Sequence, residues 1–241
     1  YFCNSNLTIK FKEIMNIEKY KKILLEIPEN VTLIAVSKTK PASDIETLYQ
    51  LGQRVFGENK AQELKEKYEI LPKDIQWHFI GHLQTNKIKY IVPFVSMIHS
   101  IDSFKLLQEI NRIAKNHNRL IPCLLQFHIA EEESKFGFDL GECEAMLQDP
   151  QFATLENIQI AGVMGMATFT DNREQVRQEF HHLKEIFQHL KSNYFSDNKE
   201  FKEISMGMTD DYPIAIAEGS TLIRIGSAIF GERQYNTPVN D

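Results

Sequence analysis

The chain has 241 residues, of which 42% are hydrophobic and 25% are charged, a composition typical of an ordinary soluble globular protein. The net charge of −6 and the scattered basic residues argue against a nucleic-acid or anionic-membrane partner. No apolar run approaches the length of a membrane span, so we expect no membrane partner of that kind either.

The cysteines indicate the compartment in which the protein works. Cys3, Cys123 and Cys143 are odd in number and show no CxxC spacing. This pattern favours a reducing compartment, and we therefore expect a cytoplasmic location.

The N-terminal segment is set apart from the rest of the chain. Residues 1–14 lack the continuous apolar core of a signal peptide, and Met15 is interpreted as the natural start. The expected organisation is a leader of unknown role over 1–14, one domain over 15–233 and a C-terminal tail over 234–241.

Helix and strand signals alternate along the domain. Apolar residues at helical spacing predict a first helix over Asn16–Ile27. Short apolar runs predict eight strands, namely Val31–Ser37, Arg54–Phe56, Gln76–Ile80, Phe94–His99, Ile121–Ile129, Ile158–Met164, Phe201–Ser205 and Leu222–Ile225. Helix signals follow them in turn, namely the capping box Ser43-Asp44-Ile45-Glu46, a helix to about Tyr68, a helix from Lys87, a helix capped by Asp102 or Ser103, Gly141–Leu147, the apolar stripe from Val176 to Leu190, Asp210–Glu218 and the short turn Ser227–Phe230.

This alternation predicts the fold class. Eight strand signals, each followed by a helical one, favour an α/β fold consisting of a single (β/α)8 TIM-type barrel with an N-terminal helix and no added β domain. A doubly wound open sheet is the alternative. The barrel is favoured because the pattern repeats eight times and no GxGxxG motif follows the first strand.

Lys38 comes directly after the first buried strand. Burial disfavours a lysine cation, so it lowers the pKa and makes available the neutral amine that a Schiff-base lysine needs. The alternative is a lysine whose stem packs at the strand end while its ammonium group reaches water. The residue alone does not decide between the two.

Two segments near the C-terminus are typical of a phosphate site. In this fold the loops after strands seven and eight, with a short extra helix, are the usual phosphate site. Ser205, Met206 and Gly207 follow the seventh strand, and Gly226 and Ser227 open the helical turn after the eighth. Glycine allows backbone N–H groups to approach a phosphate, and serine adds hydroxyl donors.

Arg224 falls at the end of the eighth strand, beside this predicted phosphate site. A phosphate, a guanidinium and a buried lysine such as Lys38 form the contact set for pyridoxal 5'-phosphate (PLP), with the arginine donating to the pyridine nitrogen. The alternative for Arg224 is an ion pair with Glu218 or Glu232.

Seven motifs in order resemble one family. They are AVSKTKP, FGENKAQE, WHFIGHLQTNK, IDSFKL, ESKFGF, SMGMTDD and GSTLIRIGSAIFGER, and they run from about Val31 to Arg233. Together they resemble the pyridoxal phosphate homeostasis protein family. The resemblance implies a single barrel related to the N-terminal domain of alanine racemases.

The resemblance also implies roles for individual residues. Lys38, the first lysine of SKTK, would hold PLP as an aldimine. Ser205, Gly226 and Ser227 would hold the phosphate, and Arg224 would face the pyridine nitrogen.

Three further residues would line the pocket, namely Asn59, Lys135 and Met164. For Asn59 an alternative stays open, since it could be only the N-cap of its helix, with Gln62 completing a capping box.

The resemblance implies a PLP-binding protein of vitamin B6 homeostasis that holds the cofactor without catalytic turnover. The alternatives are a PLP-dependent, racemase-like amino-acid enzyme and a scaffold in which the cofactor is incidental. Ten residues follow Gly231, too few for the added β domain that supplies the second base of alanine racemases. We expect a monomer, with PLP-dependent apoenzymes as recipients of the cofactor.

The histidines suggest no metal site. His182, Glu185 and His189 share one helix face with the spacing of metal ligands, but the solvated side of an amphipathic helix is the favoured interpretation. His78 and His82 lie on a strand and a loop, so their spacing of four does not bring them together as it would on a helix.

Overall fold

The computed structural model describes residues 15–131 and 136–231, which form a closed barrel of eight parallel strands. The strands are β1 (Thr32–Val36), β2 (Val55–Glu58), β3 (Gln76–Phe79), β4 (Met97–Ile101), β5 (Ile121–Gln126), β6 (Ile158–Met164), β7 (Glu203–Ser205) and β8 (Leu222–Ile225). Each strand pairs with the next along the chain, and β8 pairs with β1. Because that last pairing closes the sheet, the predicted barrel is confirmed and the open sheet is excluded.

Helices surround the barrel. They are α1 (Ile17–Glu26), α2 (Ala42–Gln50), α3 (Ala61–Ile70), α4 (Ile88–Ile91), α5 (Phe104–Asn116), α6 (Leu140–Gln148), α7 (Arg173–Asn193), α8 (Tyr212–Ala217) and α9 (Ser227–Phe230). Short 3₁₀ turns occupy Thr85–Lys87 and Phe152–Thr154. Within the two described ranges, no helix is long and apolar enough to cross a lipid bilayer.

The apolar core has two layers, because the side chains of each strand alternate between the barrel interior and the helices. The larger layer, which includes the fully buried Trp77, lies between strands and helices. The smaller layer fills the barrel itself with Ile34, Leu124, Ala161, Met164 and Leu222. Polar residues above this inner layer therefore lie at the mouth formed by the carboxyl ends of the strands.

The predicted fourth strand, Phe94–His99, is shifted in the structure to Met97–Ile101. Val95 still belongs to the preceding helical turn, since its N–H donates to Ile91 O at 2.8 Å. A short buried apolar run does not distinguish a helix end from a strand. The shift moves His99 from the end of a strand to its middle.

The predicted fifth strand, Ile121–Ile129, is also too long. β5 ends at Gln126, and the following residue, Phe127, forms an isolated bridge with Phe138. The backbone after β5 therefore pairs with the returning chain as well as with its barrel neighbour.

One predicted helix cap is wrong, and one alternative left open for a cap is excluded. Pro41, rather than a residue of the Ser43 capping box, is the N-cap of α2, and its extended φ of −68° and ψ of 159° lead directly into the helix. Lys60, rather than Asn59, precedes α3, and its side chain makes no capping bond. By contrast, Ser103 caps α5 as one of the two predicted residues.

Candidate cofactor-binding site

Lys38 lies in a tight turn at the mouth of the barrel. Lys40 N donates to Ser37 O at 3.0 Å to close the turn, and Thr39 adopts a left-handed backbone with φ of 66°. Ile34 of β1 belongs to the cluster inside the barrel. Lys38 is partly buried, and the alternation of β1, continued past the end of the strand, predicts that its side chain faces the barrel mouth.

Arg224 is buried on β8, directly beside β1. Its Nη1 donates to Ser205 Oγ at 2.6 Å, and its Nη2 donates to Gly165 O at 3.1 Å. Burial lowers the pKa of the guanidinium to about 10, and the carboxylate of Asp211 opposes this shift. Arg224 therefore remains a cation at neutral pH, held by neutral oxygen acceptors.

The ion pair considered for Arg224 is not formed with Glu218. That carboxylate instead accepts from Arg177 at 3.0 Å and bonds to His181 at 3.1 Å. Glu232, the other partner considered, lies outside the described residues.

Two buried histidines continue the polar chain into the barrel. His99 Nδ1 bonds to Ser205 Oγ at 2.9 Å, and His99 Nε2 bonds to His78 Nδ1 at 2.9 Å. Burial lowers the pKa of His78 to about 4. Burial also lowers the pKa of His99 well below its usual value, and His78 and Arg224 add to that effect. Both rings are therefore neutral at physiological pH.

The direction of these bonds depends on the hydroxyl of Ser205. The guanidinium of Arg224 can only donate, so Ser205 Oγ accepts from it and has one proton left to give. If that proton goes to His99 Nδ1, then His99 Nε2 donates to His78. If it goes to an outside acceptor such as a phosphate, the proton on His99 sits on Nδ1 and His78 donates to His99.

The two loops predicted to hold a phosphate lie at the same end of the barrel. Gly207 has a φ of 93°, and a Cβ there would lie 2.6 Å from the Cβ of Ala215. This close contact and the left-handed backbone both require glycine. Gly226 precedes α9, and the first N–H groups of α9 have no acceptor within the helix.

Ser227 and Met206 differ in what they present to this site. The hydroxyl of Ser227 is exposed and donates to Thr209 Oγ1 at 3.1 Å, so it connects the two loops. The side chain of Met206 is fully buried in the outer layer, between strands and helices. Only the backbone of Met206 remains to face the loops.

Asn59 supports a bound polar group at the mouth. Among the described residues, its Oδ1 is one of three buried side-chain polar atoms without a hydrogen-bond partner. Such an atom costs free energy unless something bonds to it. An unpartnered amide oxygen, a buried guanidinium and two glycine-containing loops fit a phosphorylated aromatic cofactor.

The barrel brings most of the predicted residues together. Seven of them lie at or just after the ends of four strands, β7, β8, β1 and β2, which are neighbours in that order. They are Ser205 and Gly207 at β7, Arg224, Gly226 and Ser227 at β8, Lys38 at β1 and Asn59 at β2. Met164 ends β6 and packs in the interior layer. Lys135 lies outside the described residues. The pairing of His78 with His99 was missed, although each is the third residue of its strand.

Comparison with known proteins places the barrel in a class. The family model described as alanine racemase, N-terminal domain, matches residues 15–234. The chain is thus a barrel of the alanine racemase N-terminal class.

Individual relatives assign the chain to a particular family within this class. A pyridoxal phosphate homeostasis protein of Aquifex aeolicus is 38% identical over 204 residues, covering 84% of this chain and 87% of the relative. One of Synechocystis is 37% identical over 216 residues, covering 89% of this chain and 97% of the relative. This chain belongs to the pyridoxal phosphate homeostasis protein family.

Solved structures agree. PipY of Synechococcus elongatus, with PLP bound, is 35% identical, superposes with a TM-score of 0.80 and covers 89% of this chain and 99% of its own. An alanine racemase of Clostridium difficile, 13% identical, has a TM-score of 0.64 and covers 91% of this chain and 56% of its own. The second likeness shows the fold alone.

Proposed function

We propose that this protein binds pyridoxal 5'-phosphate as an imine on Lys38 and serves in intracellular vitamin B6 homeostasis without catalytic turnover. The observation that carries the proposal is the buried guanidinium of Arg224. Arg224 on β8 lies opposite Ile34 on β1, the strand that leads to Lys38. The names of the relatives and the PLP bound to PipY support it.

The phosphate group is assigned to the two glycine-containing loops. Backbone N–H groups near Gly207 and Gly226 are its donors. The hydroxyl of Ser227 is a further donor, and its bond with Thr209 Oγ1 then reverses, so that Thr209 donates to Ser227. Ser205 joins them by donating its one hydrogen bond to the phosphate. His99 then donates to Ser205 and His78 donates to His99, so both imidazoles take the other tautomer. Asn59 bonds to a polar substituent of the ring.

Arg224 is assigned to the pyridine nitrogen, and this contact bears on turnover. A guanidinium donates a hydrogen bond and disfavours a second positive charge beside it, so the ring nitrogen stays unprotonated. An unprotonated ring withdraws electrons poorly from an adjacent carbon. The arrangement therefore favours holding the cofactor over amino-acid chemistry.

A racemase-like PLP enzyme remains the second candidate, because one pair of residues could supply a base. His82 Nδ1 bonds to Asp102 Oδ2 at 3.0 Å, on the loops after β3 and β4 at the barrel mouth. A histidine oriented by a carboxylate is a common general base.

The cellular setting is also a proposal. We propose that the protein acts in the cytoplasm as a monomer and passes PLP to dependent apoenzymes. The cysteine pattern and the scattered basic residues of the sequence support this setting.

The visible absorption spectrum, followed by borohydride reduction, tests the proposed site. Adding PLP is expected to give the absorption of an imine, and reduction followed by peptide mapping is expected to place the pyridoxyl group on Lys38. Lys38→Ala should abolish this label, whereas the control Lys40→Ala should keep it. A label found mainly on Lys40 or Lys135 would show that the lysine is wrongly assigned.

Deuterium exchange separates the two candidate functions. The PLP-loaded protein is incubated with L- and D-alanine, and separately with L- and D-serine, in deuterated water. A binding protein is expected to leave Cα unlabelled. Incorporation over many turnovers that is lost in Lys38→Ala would establish the enzyme instead, and its loss in His82→Gln would identify the base.

A further inference from the structure

A charged network lies beneath the turn that carries Lys38, between the barrel wall and α3. Lys67 Nζ donates to Glu58 Oε1 at 2.6 Å, to Glu63 Oε1 at 2.7 Å and to Ser37 O at 2.8 Å. The side chains of Lys67 and Glu58 are 8% and 0% exposed. Three acceptors thus match the three protons of one buried ammonium group.

This network is not explained by stability alone. Lys67 and Glu58 form a buried ion pair, with the partly exposed Glu63 beside it. Buried ion pairs are often no more stabilising than apolar residues of the same size. Burial raises the pKa of Glu58, while Lys67 and the hydroxyl of Ser37 oppose that shift. In the described part of the chain, Glu58 Oε2 has no partner.

Each end of the network holds a residue next to Lys38. On one side, Ser37 Oγ donates to Glu58 Oε1 at 2.6 Å, and Ser37 O accepts from Lys67. On the other side, the N–H of Thr39 donates to Glu63 Oε1 at 2.6 Å.

Thr39 needs such support. A β-branched residue rarely adopts a φ of 66°, because its side chain crowds the backbone there. Backbone strain of this kind persists only where the surroundings impose it, and it is concentrated at functional sites. The bond to Glu63 keeps Thr39 in this conformation.

The conformation of the turn decides which of two lysines faces the barrel. Lys38 and Lys40 are separated only by Thr39. Lys40 lines an outer groove of about 420 Å³ together with Glu63 and Glu66 of α3. Lys40 therefore lies on the outer side of the turn, whereas the alternation along β1 predicts that Lys38 faces the mouth.

We propose that Glu58, Lys67 and Glu63 are positioning residues that hold this turn so that Lys38, and not Lys40, reacts with the aldehyde of the cofactor. The inference rests on the proposed function, in which Lys38 carries the imine. Among the described residues, no hydrogen bond or ion pair of the network reaches either phosphate loop, so its loss should slow the reaction at Lys38 without removing the phosphate contacts.

The test uses two network variants and a matched control. Glu63→Ala removes the bond to Thr39 at a partly exposed position. The double variant Glu58→Gln/Lys67→Met removes both buried charges together, because Lys67→Met alone would leave a buried carboxylate unpaired. The control is Gln53→Leu, which loses buried hydrogen bonds to Leu33 O and Val55 O at the other end of the same two strands.

Each protein is mixed with PLP, reduced with borohydride at increasing times and mapped, and its melting temperature is recorded. We expect the rate of labelling at Lys38 to fall on the order of tenfold or more in the network variants, with a rising share of label on Lys40. The control is expected to melt earlier but to label Lys38 at the wild-type rate.

Two outcomes would overturn the proposal. One is wild-type labelling of Lys38 in both network variants. The other is an equal fall in the control at an equal loss of melting temperature, which would make the effect one of general stability. Absence of label on Lys38 in the wild-type protein would instead refute the proposed function, so the two failures are distinguishable.

Discussion

Lowering the pH from about 7.5 to about 5.0 is expected to destabilise the protein through His78. This imidazole is buried in the barrel, and burial lowers its pKa from 6.5 to about 4. Because the folded-state pKa is depressed, the stability it contributes is complete above about pH 6.5 and is lost as the pH falls from 6.5 toward 4.

The size of the effect follows from the shift. Each pH unit below 6.5 costs about 1.4 kcal/mol while the folded protein keeps His78 neutral and the unfolded chain takes up a proton. His78 alone therefore accounts for a loss of about 2 kcal/mol at pH 5.0. His99 changes stability in the same direction, since burial also lowers its pKa.

Urea unfolding at several pH values measures this loss. We expect His78→Gln, which keeps a polar side chain beside His99, to reduce the pH dependence of the unfolding free energy by about 2 kcal/mol over this interval. His117, exposed just after α5, provides a matched His→Gln control at the protein surface. The same slope in the wild type and in His78→Gln would refute the reasoning.

Three further predictions concern the site, the barrel and the thiols. Pyridoxal should bind at least about a hundredfold more weakly than PLP, because charge-assisted bonds to the phosphate contribute roughly 1.5–3 kcal/mol each. For the same reason the Ser227→Ala variant should bind PLP about tenfold more weakly than the wild type does. Equal affinities in an absorbance titration would contradict the phosphate site. Gly162→Ala should prevent folding, judged by circular dichroism, because Gly162 has a φ of 152° and a Cβ there would lie 1.9 Å from a carbonyl oxygen of β7. The control Gly141→Ala should fold normally, because the nearest atom to its added Cβ is 3.5 Å away. Cys123 and Cys143 should resist alkylation until the protein unfolds, since burial raises both thiol pKa values. Rapid alkylation of either thiol in the folded protein, seen by peptide mass mapping, would contradict their burial.

Much of the fold was predictable because barrel strands are short apolar runs between turn signals. The bounds predicted for Ile158–Met164 and Leu222–Ile225 agree with β6 and β8. The prediction was wrong for Phe94–His99, where the buried end of a helical turn has the same apolar pattern as a strand. Hydrogen bonding, which the pattern does not contain, separates the two.

The candidate site was predictable only in part. Lys38 and Arg224 stand out because each ends an apolar run, which is a local signal. The bond between His99 and Ser205 joins residues 106 positions apart. Lys67 gives no local signal either, because it lies within a helix of mostly polar composition.

The sequence by itself determined the order of strands and helices and therefore which segments end at the mouth of the barrel. Only the tertiary structure decided which polar groups meet there. Closure places β7, β8, β1 and β2 side by side, so that Arg224 meets Ser205 and the turn of Lys38 rests on Lys67. The physical reason is that a buried polar group must find a partner, and the partner is chosen by proximity in space, which spacing along the chain does not encode.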